Sequence, residues 1–138
     1  MPQEICSEDI RVGDVMPVLV KAPIDKTQLV KYAGASGDFN PLHFDPEHAK
    51  AVGIGDVIAH GMLIMGFVGQ AMTNWIPKKY VKKFGVRFAG MTRLGDTVTV
   101  TGVVNEKNGN RIKCSLEAKN QNGALLVAGS FEAELPGK

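Results

Sequence analysis

Residues 36–49 read SGDFNPLHFDPEHA and hold the densest set of reactive side chains in the chain. Asp38 and His43 stand five positions apart on a stretch without helical or strand periodicity. Gly37 permits a tight bend and Pro41 fixes one backbone dihedral, so the stretch can hold both groups at one point. A carboxylate and an imidazole aimed at one water make a general acid–base pair. The bland alternative is an Asx-turn, common where Asp precedes Asn-Pro. Asn40 suits a role in orienting the loop or a ligand through its amide. A metal reading of His43, Asp45 and His48 matches no standard zinc spacing, and no cysteine or third histidine completes the set, so no metal is expected. Farther on, His60-Gly61 opens an apolar run. Backbone N–H groups at a helix start lack internal partners and lie at the positive end of the dipole, where an oxygen gaining negative charge can bind. His60 itself reads equally as a cap, a packing residue or a substrate contact.

These residues need elements to hold them. The chain has 138 residues, the size of one domain spanning 1–138. Sixteen basic against fourteen acidic residues exclude a nucleic-acid protein. Cys6 and Cys114 have no finger or CxxC spacing and suit a reduced, cytoplasmic chain, and the first residues lack signal-peptide regions. The most apolar run, 57–72, is too short and too glycine-rich to span a membrane.

Alternation predicts strands at 18–22, 83–88, 97–104, 111–119 and 127–135. Their apolar faces are Val18/Val20/Ala22, Phe84/Val86/Phe88, Val98/Val100/Val104, Ile112/Cys114/Leu116/Ala118 and Val127/Phe131/Ala133/Leu135. Asn108-Gly109 and Asn122-Gly123 predict hairpins between the last three. A helix capped by Asp25 carries Leu29, Tyr32 and Ala33 and ends near Gly34; a short one starts at Pro46 under an Asp45 cap. The run from Gly61 to Trp75 is apolar almost all round, hence a helix buried on most sides, with Gly66 and Gly69 letting a sheet close tightly on it. The fold class is α+β, an antiparallel sheet wrapped around this helix.

The run Gly37-Asp38-x-Asn40-Pro41-Leu42-His43, with Ala49 after five more residues, resembles the signature of the MaoC-like, (R)-specific enoyl-CoA hydratases. His60-Gly61-Met62-Leu63 resembles the segment that opens the central helix of that family. The resemblance covers nearly the whole chain and is closest to single-domain members, including catalytic subunits of (3R)-hydroxyacyl-carrier-protein dehydratases. It implies a hot-dog fold and reversible hydration of trans-2-enoyl thioesters to (3R)-hydroxyacyl thioesters. Asp38 would be the general base, His43 would orient the water and shuttle the proton, and Gly61 would offer its N–H to the thioester oxygen.

Asn40, His60, Met62 and Arg87 are the expected substrate-binding residues, Arg87 through the thioester tail or a dimer contact. No cofactor beyond the CoA or carrier-protein thioester is implied. The expected partner is a second copy in a homodimer with the sheet continued across subunits, or a second hot-dog subunit in a heterodimer. Lys78, Lys79, Lys82 and Lys83 read as a solvated edge or as a contact for CoA phosphates or an acidic carrier. A thioesterase of this fold would place a carboxylate on the central helix, and 62–75 has none. A non-catalytic acyl-binding module would be expected to lack Asp38 or His43.

Overall fold

The computed structural model describes residues 4–137. Strands β1 (Leu19–Val20), β2 (Val81–Phe88), β3 (Thr99–Asn108), β4 (Arg111–Lys119) and β5 (Leu125–Glu134) form one antiparallel sheet in the order β1-β3-β4-β5-β2. β4 shows why. Ile112, Cys114, Leu116 and Ala118 are buried, while Arg111, Lys113, Glu117 and Lys119 face water. Burial pushes the Cys114 thiol up to about 12, so it packs as a small inert hydrophobe. Register shifts at Val81/Lys83, Val104/Glu106 and Ala118/Lys119 bend the strands and increase their twist.

The curled sheet packs on α3 (Gly61–Trp75), which touches β3, β4 and β5. Ile64, Phe67, Val68, Ala71 and Met72 are its buried residues. Two further helices lead to the site. Asp25 caps α1 (Lys26–Ser36) by accepting from Gln28 N at 2.8 Å, and Asp45 caps α2 (Pro46–Ala51) by accepting from the N–H groups of Glu47 and His48. No helix among the described residues is long and apolar enough to cross a membrane.

Four expectations are corrected. α1 runs past Gly34 and ends at Gly37, whose φ of 75° supplies the left-handed stop and delivers the chain directly to Asp38. In β1 the phase is reversed: Leu19 packs against the core while Val18 and Val20 are exposed. The segment VLVKA has apolar residues on both parities, so alternation alone could not choose the inner face. Phe88, read as an inward residue of β2, is 51% exposed. Finally, α3 carries an exposed stripe of Met62, Gly66 and Gln70, one turn apart each, and a side chain at position 66 would meet open space rather than the sheet.

Leu116, 1% exposed in β4, tests the core. Leu116→Ala is expected to lower unfolding free energy by about 2–5 kcal/mol. Urea denaturation should show a lower midpoint with an unchanged slope.

Candidate active site

Three polar side chains converge where α1 ends and α3 begins. After the Gly37 turn, Asp38 uses one oxygen locally: Oδ1 accepts from Asn40 N at 3.2 Å, while Ser36 Oγ accepts from Asp38 N at 3.2 Å. The Asx-turn is therefore present. It leaves Oδ2 free, 3.9 Å from His43 Nε2. The bland and the chemical readings of Asp38 hold together, one per oxygen. Asn40 Oδ1 accepts from Leu42 N at 3.1 Å and caps the 3-10 turn Pro41–His43, so its amide orients the loop.

His43 is fixed by main chain. Its Nδ1 lies 2.8 Å from the carbonyl of Ile58. A carbonyl only accepts, so Nδ1 carries a hydrogen, and in the neutral ring Nε2 then presents its lone pair toward Asp38. The Ile58 carbonyl is held in turn by bonds on either side, Ile58 N to Leu42 O at 3.1 Å and Ala59 N to Thr92 O at 2.8 Å. The His43 side chain is 11% exposed and that of Asp38 51%, so the carboxylate faces solvent and the imidazole backs it.

His60, expected as a cap, packing or substrate residue, is 1% exposed and makes no side-chain cap. Its ring stacks on His43 with centroids 3.8 Å apart and an interplanar angle of 23°, and meets Tyr32 edge-on at 4.8 Å. Its Nε2 donates to the Asp38 carbonyl at 3.1 Å, and its Nδ1 is buried without a partner. Burial holds this imidazole below its ordinary value of 6.5; His43 adds to the lowering, and the Asp38 carbonyl and carboxylate oppose it.

The ligand atoms of Asp38, His43 and His60 lie within 4.8 Å of one another, a different set from His43, Asp45 and His48. The two imidazoles are nearly parallel, however. Their lone pairs lie in the ring planes and run side by side rather than converging on one ion, which disfavours a tetrahedral centre.

Gly61 opens α3 beside this cluster. Leu63 N bonds to His60 O at 3.1 Å, so the N–H groups of Gly61 and Met62 precede the first bond of the helix. A Cβ at position 61 would lie 3.1 Å from the Phe88 ring, which gives this glycine a packing reason as well. Met62, in the same first turn, is 56% exposed. Arg87 stands on the other face of β2 from Phe88, beside Ala128 and Ser130 and away from Gly61. Tyr32, Ile58 and Phe88 were not anticipated as site neighbours. Tyr32 carried a signal as part of the α1 stripe; Ile58 carried none, because it acts through its carbonyl.

A family model described as "MaoC like domain" matches residues 11–123. The chain belongs to the MaoC-like domain family. Its relatives include an (R)-specific enoyl-CoA hydratase of Rhodospirillum rubrum, 35% identical over 72% of this chain and 72% of that protein. A mitochondrial 3-hydroxyacyl-[acyl-carrier-protein] dehydratase of Arabidopsis thaliana is 30% identical over 92% of this chain and 78% of that protein. In a longer relative, enoyl-CoA hydratase ChsH3 of Mycobacterium tuberculosis, 34% identical, the match covers 80% of this chain and only 38% of that protein.

Among solved structures, R-hydratase PhaJ1 from Pseudomonas aeruginosa superposes with a TM-score of 0.87 at 29% identity, covering 99% of this chain and 89% of PhaJ1. The ChsH1–ChsH2 complex from Mycobacterium tuberculosis gives 0.80 at 29% identity, covering 91% of this chain and 98% of the matched one. The MaoC-like domain thus has the hot-dog fold expected of it, with α3 as the enclosed helix.

The His60 environment in this MaoC-like domain has a sign in pH. With a folded value below 6.5, the unfolded chain protonates first as pH falls. His60 therefore contributes its full stability above that pH, and the contribution is lost as pH drops through 6.5 toward the folded value. Melting temperature should fall on acidification through this window, and His60→Phe should flatten that part of the curve.

Proposed function

We propose that this protein is a hydro-lyase interconverting trans-2-enoyl and (3R)-3-hydroxyacyl thioesters. The observation that carries the reading is the spacing of two acceptors. His43 Nε2, whose hydrogen sits on the other nitrogen, and Asp38 Oδ2 are 3.9 Å apart, too far to bond each other and close enough to share one donor. A water that donates one hydrogen to each has its lone pairs turned away, toward a substrate. Asp38 accepts a proton as the water oxygen bonds to C3. His43 orients the water and relays the proton to C2, so the pair ends the cycle as it began. Both new bonds form on one face, which matches syn addition.

The enolate oxygen that develops on the thioester is received by the Gly61 N–H at the start of α3. Losing one such donor costs roughly 2.7–4 kcal/mol in other enzymes. Asn40 holds the loop, and Met62 with Phe88 borders the approach. No metal or organic cofactor enters, and the CoA or carrier-protein thioester supplies the activation. The family membership and the hydratase and dehydratase relatives support this reaction class.

The working unit is a dimer in the cytoplasm. β2 forms one edge of the sheet, and the half-exposed Phe88 stands at its end against Gly61, the residue before the exposed Met62. A second copy continuing the sheet would cover this edge, and a different hot-dog chain would do the same. Light scattering after size exclusion should give twice the chain mass.

Crotonyl-CoA hydration, followed by loss of enoyl absorbance, tests the chemistry. Asp38→Asn and His43→Gln should each lower kcat by about 10²–10⁴-fold with the fold intact. The product should be the 3R isomer. Near-wild-type turnover of either variant, a 3S product, or CoA release without hydration would overturn the proposal.

A further inference from the structure

His60 presents a combination that substrate binding does not explain. It is 1% exposed, so no substrate reaches its ring, yet it contacts both members of the pair. It stacks on the imidazole of His43 at 3.8 Å and donates Nε2–H to the main-chain carbonyl of Asp38 at 3.1 Å. Tyr32 closes its edge from α1, and its own backbone forms the N-cap of α3.

These four attachments belong to four separate pieces of chain: α1, the Asp38 turn, the 3-10 turn of His43 and α3. The stack also limits His43. An imidazole held by Ile58 alone keeps freedom to swing away from that carbonyl, which would release its choice of tautomer, and a flat ring at van der Waals distance removes that freedom. The unpartnered Nδ1 has a consequence of its own. A proton there would be a buried donor without an acceptor, so the ring keeps one tautomer, with its hydrogen on the Asp38 side.

We infer that His60 is a positioning residue for the Asp38–His43 pair: its ring holds the plane of His43 and its Nε2–H holds the main chain of Asp38, and together they set the gap that the water bridges. This rests on the proposed roles of Asp38 and His43, and adds a residue that touches neither water nor substrate. Displacing a reacting group by about 1 Å costs on the order of 10²-fold in rate. A loss of that size is expected in kcat, with KM little changed, when the ring is removed.

Two variants separate the contacts. His60→Gln keeps an N–H donor and removes the flat ring; His60→Phe keeps the ring and removes the donor. The chain has only three histidines, so ¹⁵N-resolved spectra of the ring nitrogens can be assigned by substitution. In the wild type His43 should appear as a single tautomer with the hydrogen on Nδ1. In His60→Gln it should become a mixture while kcat drops about 10²-fold. In His60→Phe the single tautomer should return with part of the rate.

A folded His60→Gln protein with wild-type kcat and one His43 tautomer would overturn the inference. So would a loss confined to KM, which would make His60 a substrate contact. The tautomer readout needs no turnover. If Asp38→Asn and His43→Gln prove active, the proposed reaction fails while the test of His60 still reads out.

Discussion

The arrangement depends on one main-chain acceptor, the carbonyl of Ile58. By taking the Nδ1 hydrogen of His43 it decides which nitrogen of the neutral ring carries the lone pair, so that His43 and Asp38 face each other as two acceptors. Had the carbonyl turned away, the hydrogen could sit on Nε2, and His43 would present a donor to Asp38 in place of a second acceptor. The Ile58 carbonyl keeps its direction because residues 58 and 59 are bonded on both flanks, to Leu42 and to Thr92. A short extended segment outside the main sheet thus does the work that a buried carboxylate does in many other histidine sites.

The sheet serves this segment from a distance. Its bulges curl it around α3, and the packing of Ile64, Val68 and Ala71 fixes where the helix begins. The start of α3 then brings the N–H of Gly61 and the ring of His60 to the same place. Phe88, at the end of the edge strand, lies against Gly61, so a side chain there would press on its ring. Core packing and active-site geometry meet at this one contact, which is why a half-exposed aromatic at a strand end has a role that its burial alone would not suggest.

Much of this was legible in the residues. β4 follows its alternation at every buried position and the Asp25 and Asp45 caps form; hairpins also form at Asn108-Gly109 and Asn122-Gly123, but only the glycines take positive φ, and Asn108 pairs with Arg111 as the last residue of β3. The Asp38–His43 pairing was readable because Gly37 and Pro41 leave the loop few conformations. The illegible parts have a common cause. β1 could not be phased because its neighbours are apolar on both sides. The exposed stripe of α3 looked buried because an isolated chain shows hydrophobicity without showing what covers it. Ile58 was invisible because its side chain is not what acts, and His60 showed its type without its three contacts, which come from segments far apart in sequence.

The cluster is built to an unusual degree from main-chain atoms: the carbonyls of Ile58 and Asp38 and the amide hydrogen of Gly61. Such atoms are supplied by every residue type. The side chain at position 58 is therefore free to vary without altering the role of its carbonyl. The vulnerability moves instead to the path of the backbone, so that inserting or deleting one residue between Asp56 and His60 would be far more damaging than replacing the Ile58 side chain.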